Sequence, residues 1–113
     1  MIRLLPFRFL FSAAIAGSGA ALMSPRAEHR EPRTIIISEF RFVPPEIVVS
    51  AGDTVVWENR DAFVHTSTAD SATWQSGELR HGHRFRLVPG KAGRYEYHCA
   101  AHPVMRGVLN VRQ

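Results

Sequence analysis

Only one of the 113 residues, Cys99, is a cysteine, which excludes an internal disulfide and leaves the thiol for intermolecular pairing or for chemistry. Long apolar runs are equally scarce. The stretch Phe9-Leu10-Phe11-Ser12-Ala13-Ala14-Ile15-Ala16 is shorter than the ~20 residues a membrane-spanning helix needs, and Arg8 abuts it. An uncleaved anchor is therefore disfavoured against a secretory leader with Arg3 and Arg8 as its positive start, this run as its apolar centre and small residues after it. Cleavage after Ala16, Ala21 or Ala27 satisfies the pattern equally. Residues 1–27 read as the signal peptide, 28–33 as a flexible mature N-terminus that includes His29, and 34–113 as a single folded domain.

Charge of one sign is also in short supply. The formal +4 includes Arg3, Arg8 and Arg26, and from Glu28 onward only +1 remains. That removes the reason to read the chain as binding nucleic acid or a membrane surface. Arg80, Arg84, Arg86, Lys91 and Arg94 still cluster, as a solvated strand face or as a docking face for an acidic partner. No internal repeat is visible, and after the leader no segment carries a helical period, apart from a turn expected between Asp70 and Leu79.

What is present from Thr34 onward is a series of short β-branched and aromatic runs separated by Gly and Pro, the pattern of an all-β domain. The expected strands are Thr34 to Phe42, Glu46 to Ser50, Thr54 to Asn59, Arg84 to Val88, Arg94 to Cys99 and Gly107 to Val111. With one or two further short strands, this predicts a Greek-key β-sandwich of two sheets and about seven to eight strands. Alternation along Arg94-Tyr95-Glu96-Tyr97-His98-Cys99 puts Tyr95, Tyr97 and Cys99 on the inner face and His98 on the outer one. About 80 residues supply a small core, so a ligand bound only by the folded state adds noticeably to stability.

The most specific feature is Cys99-Ala100-Ala101-His102-Pro103-Val104-Met105, which sets a thiolate, an imidazole and a thioether at i, i+3 and i+6. A second imidazole, His65, lies upstream on the loop after the Thr54 to Asn59 strand. Soft sulfur with two histidines suits a copper ion alternating between Cu(I) and Cu(II), and Cys, two His and a weak axial Met make up a trigonal blue-copper site. Taken singly, Cys99 and Met105 would be core filler; their shared register with His102 argues for ligation. Four protein ligands leave no open position for substrate, which argues against an enzyme. His98, beside Cys99, reads as a surface histidine, because a second copper there would need ligands from further domains. His81 and His83 alone make a poor metal site. Trp57 and Trp74 read as packing aromatics.

Two segments together carry a family resemblance: Trp57-Glu58-Asn59-Arg60-Asp61-Ala62-Phe63-Val64-His65 and Tyr97-His98-Cys99-Ala100-Ala101-His102-Pro103-Val104-Met105-Arg106-Gly107. They resemble the cupredoxins, most closely the amicyanin-like members, whose metal loop has the same short Cys-x-x-His-x-x-Met form. The likeness extends through Phe40-Arg41-Phe42-Val43-Pro44 and Ala51-Gly52-Asp53-Thr54-Val55. It implies one type 1 copper bound by His65, Cys99, His102 and, weakly, Met105. It also implies His102 as the electron port, with Pro103 and Val104 as apolar surroundings or as simple loop packing. Thr66 departs from the resemblance, since many relatives carry Asn directly after the first histidine. A hydroxyl has shorter reach and fewer hydrogen-bonding groups than an amide, so the reduction potential is the property affected. The expected function is a periplasmic, monomeric carrier of single electrons between transient redox protein partners. The alternative is a copper-binding protein for storage or delivery.

Overall fold

The computed structural model describes residues 30–113 together with Gly17 and Gly19. The leader expected over 1–27 and the segment around His29 lie outside the described residues, Gly17, Gly19 and the end of that segment apart. There are eight strands and no helix among the described residues: β1 Arg33–Ser38, β2 Arg41–Val43, β3 Glu46–Ser50, β4 Val55–Asn59, β5 Thr68–Ala69, β6 Arg84–Leu87, β7 Gly93–Cys99 and β8 His102–Arg112. They form two four-stranded sheets, β2-β1-β4-β6 and β3-β8-β7-β5. The pairs β1–β4 and β3–β8 are parallel and the others antiparallel. The expected all-β sandwich of two sheets is what forms.

Strand alternation builds the core. Ile35 and Ile37 of β1 and Val55 and Trp57 of β4 point inward from one sheet; Ile47 and Val49 of β3, Tyr97 and Cys99 of β7, and Leu109 and Val111 of β8 point inward from the other. Trp57 stands at the centre, edge-on to Tyr97 with ring centroids 5.5 Å apart and flanked by Phe85 and Trp74. The Tyr97 ring lies over Gly107, where an added Cβ would come within 2.3 Å of its Cζ. Only glycine leaves room for that ring. As expected, Cys99 faces inward and His98 outward.

Beyond single-residue shifts at strand ends, three features differ from expectation. The run Thr34 to Phe42 is not one strand but the hairpin β1–β2, folding back at Glu39 and Phe40, which have φ of 53° and 57°. Paired left-handed residues suit a two-residue hairpin turn, yet neither is glycine or asparagine, so each carries strain on the order of 1 kcal/mol or more. The turn between Asp70 and Leu79 is preceded by a short strand, β5, which pairs Thr68 with His98 and Ala69 with Tyr97. The last strand begins at His102 instead of Gly107, so His102 and Met105 belong to β8 and not to a free loop.

That early start contains an irregularity that shapes the site. Cys99 pairs with His102 across the Ala100–Ala101 turn, whereas His98 pairs with Arg106. One step along β7 thus faces four along β8, and Pro103, Val104 and Met105 are bulged out of register. A bulge bends its strand and re-aims side chains; here Val104 is 93% exposed while Met105 returns to the buried face.

Candidate metal centre

The site lies at the end of the sandwich where β4 runs into the loop carrying His65 and β7 turns into β8. Asn59, the last residue of β4, is fully buried and organises that loop. Its Nδ2 donates to the carbonyls of Phe63 and Leu79, both at 2.7 Å, and its Oδ1 accepts from the Asp61 amide at 2.9 Å. His65 is then paired with Leu79 by two backbone hydrogen bonds. Its ring is fully buried, with Nε2 2.8 Å from Asp61 Oδ2 and Nδ1 3.7 Å from Cys99 Sγ. The carboxylate accepts a hydrogen bond from Nε2–H, which leaves the Nδ1 lone pair facing the sulfur.

Asp61 also accepts hydrogen bonds from the backbone amides of Glu39 at 2.7 Å and Phe40 at 3.0 Å. Partial burial of this carboxyl works to raise its pKa, but the Phe40 and Glu39 amides and the His65 ring lower it further, so it lies below the usual carboxylate value.

Cys99 is fully buried, and its sulfur accepts from the Thr66 amide at 3.4 Å. The Thr66 hydroxyl accepts from the Ala100 amide at 2.8 Å and pairs with Thr68 Oγ1 at 2.9 Å. Threonine at this position therefore does tie the His65 segment to the Cys99–His102 turn, through one oxygen. His102 is partly exposed. Its Nδ1 is buried and makes no hydrogen bond among the described residues. A buried ring nitrogen without a partner is costly. The ligand atoms of His65, Cys99 and His102 all lie within 4.8 Å of one another. Two imidazoles and a thiolate, with one nitrogen left open, fit copper by donor softness and number. Met105, the fourth residue expected, is buried on β8 three positions after His102.

Among the described residues, His81, His83 and His98 are not part of this cluster, which is the one group of three metal-ligating side chains of this type found there. His98 Nδ1 is 2.6 Å from Asp70 Oδ1, and Asp70 also pairs with Arg106. His81 Nδ1 meets the Asp61 carbonyl, and His83 Nδ1 accepts from the Arg80 amide. Within the basic cluster, Arg84 pairs with Glu58 and Arg94 with Glu46, as in a solvated strand face. The sequence reading did not single out Asp61 or Phe40. Phe40 stacks edge-on against both imidazoles, with ring centroids 5.1 Å from each. The available signal was a carboxylate four residues before the histidine.

The cupredoxin-like domain family matches residues 7–111. Amicyanin of Paracoccus denitrificans is 30% identical over 112 residues, spanning 95% of this chain and 76% of that protein. A solved mutant of amicyanin in its oxidised state superposes with a TM-score of 0.67 at 32% identity, covering 72% of this chain and 82% of that one. A copper-containing nitrite reductase from Thermus scotoductus SA-01 superposes with a TM-score of 0.69 at 27% identity. The match covers 74% of this chain and 23% of the reductase, so the likeness is to one part of a larger enzyme. The chain belongs to the cupredoxin family, is of the amicyanin-like kind, and has His65, Cys99 and His102 arranged as a site for one type 1 copper.

Proposed function

We propose that this protein is a periplasmic single-electron carrier in which His65, Cys99 and His102 bind the copper and Met105 is its weak axial ligand. The bound metal supplies the one-electron Cu(I)/Cu(II) couple. The observation that carries this reading is the convergence of two imidazoles and a thiol from two separated chain segments, with their ligand atoms within 4.8 Å of one another. His65 is braced by Asp61, and Cys99 by the Thr66 amide. Donors held from two directions by a packed scaffold change little in position when the charge at the centre changes, and a small rearrangement favours fast electron transfer.

Access is on the His102 side. This ring is partly exposed, Phe40 packs against it and in turn against Phe63, and Val104 lies two residues along β8; Phe40, Phe63 and Val104 are all exposed. Exposed apolar side chains beside the ligand ring suit weak, short-lived docking to redox protein partners. The leader over residues 1–27 would direct export and be removed, leaving the short 28–33 segment and a monomeric 34–113 domain. No helix among the described residues is long and apolar enough to cross a membrane.

The test is electrochemical. Reversible one-electron voltammetry with rapid self-exchange is expected of the copper-loaded protein. Slow exchange together with ready transfer of Cu(I) to a competing chelator would instead identify copper storage or delivery.

A further inference from the structure

The turn at Glu39–Phe40 is left-handed at two residues with no intrinsic liking for that conformation. Such strain persists only where surrounding contacts enforce it, and it gathers at ligand clamps. Here the enforcing contact is one side chain from another loop: Asp61 Oδ1 accepts from the Glu39 amide, and Oδ2 accepts from the Phe40 amide and from His65 Nε2. Asp61 is itself held, because its amide donates to buried Asn59 and its carbonyl meets His81 Nδ1. The turn it pins presents Phe40, whose ring sits edge-on to His65 and to His102 at 5.1 Å each.

We propose that Asp61 is the positioning residue of the copper site, a single carboxylate that fixes the His65 ring with Nδ1 toward the metal and holds the strained turn that wedges Phe40 against both imidazoles. This rests on the copper-carrier reading and adds to it a specific origin for the rigidity of the two imidazoles. No neutral side chain replaces Asp61. An asparagine has one acceptor oxygen for three donors, so its NH2 group would face either the Glu39 amide, releasing one residue of the strained turn, or the Phe40 amide and His65 Nε2 together. In the second orientation the His65 ring meets a donor and is driven to the other tautomer, with its proton on the nitrogen that faces Cys99.

The experiment uses Asp61→Asn in two states of the full chain. In the metal-free protein, nitrogen-15 NMR of the histidine rings is expected to report His65 protonated at Nε2 in the parent and shifted toward Nδ1 in the variant. In the copper-loaded protein, the variant is expected to hold copper about 10- to 100-fold less tightly, as for other groups that orient a ligand, and to show a raised reduction potential because a negative charge next to a ligand is gone. A second variant, Glu39→Asn with Phe40→Gly, gives the turn residues that prefer the left-handed conformation. In that background Asp61→Asn should still change the His65 tautomer and the potential, which a purely structural role for Asp61 would not produce. An unchanged tautomer and potential in a blue, folded variant would overturn the proposal. Failure of the parent itself to form a blue copper centre would overturn the carrier reading, while the metal-free NMR would still decide the role of Asp61.

Discussion

The two imidazoles of the site have opposite surroundings. His65 is wholly buried, clamped by Asp61 at Nε2 and bridged to Leu79 through its backbone. His102 is partly exposed on a bulged strand, its Nδ1 makes no hydrogen bond among the described residues, and the residue two further along, Val104, is almost fully in solvent. Folding alone positions the first ring; the second stands at the rim, where the bulge separates the inward Met105 from the outward Val104. Rigidity and access are thus assigned to different ligands, and a centre with both becomes accessible without becoming loose.

Truncating each ring tests this contrast most severely. His102→Gly opens a gap at the surface, so added imidazole is expected to restore an intense visible band to the Cu(II) protein. His65→Gly leaves its gap inside the fold and should not be rescued. Titration with imidazole, followed by absorption, distinguishes the two, and equal rescue would erase the distinction. Gly107→Ala strikes at the hairpin that carries Cys99, His102 and Met105, since the new methyl group would lie 2.3 Å from the Tyr97 ring. Overpacking of this kind costs about 1–3 kcal/mol, to be read from urea unfolding, with the rim ligand disturbed more than the buried one.

A smaller effect is expected on the outside of the same hairpin. Asp70 meets His98 on β7 and Arg106 on β8, and these two partners, His98 first, hold its carboxyl below the ordinary value of 3.8. A carboxylate with a depressed folded pKa stabilises above that value, and the contribution fades as pH falls through the folded one. Asp70→Asn should therefore lower the thermal midpoint at neutral pH, and the two melting curves should converge on acidification below about pH 4. A gap that persists in strong acid would assign the effect to packing. Smallest of all is Val104→Ser, expected to change stability by no more than about 0.5 kcal/mol and to leave the copper spectrum intact while slowing electron self-exchange.

Much of this was legible in the chain. Cys99, His102 and Met105 could be read because a short segment carries all three, and the sandwich because β-branched runs alternate inward and outward. The hairpin turn at Glu39–Phe40 was not legible, since its left-handed pair is imposed by a carboxylate more than twenty residues away. Nor was the start of β8, because Pro103 and the following residues look like loop until the bulge places them. Strand β5 has two residues, too few for any periodicity. Asp61 escaped notice because a lone acidic residue in a loop is ordinary until its three donors are seen together.

The most direct test of the proposed copper site of His65, Cys99, His102 and Met105 is the visible spectrum of the Cu(II)-loaded protein beside that of Cys99→Ser. An intense thiolate-to-copper charge-transfer band in the parent, lost in the variant, is the expected result. A parent that binds Cu(II) without such a band, or a band that survives the loss of the thiol, would contradict it.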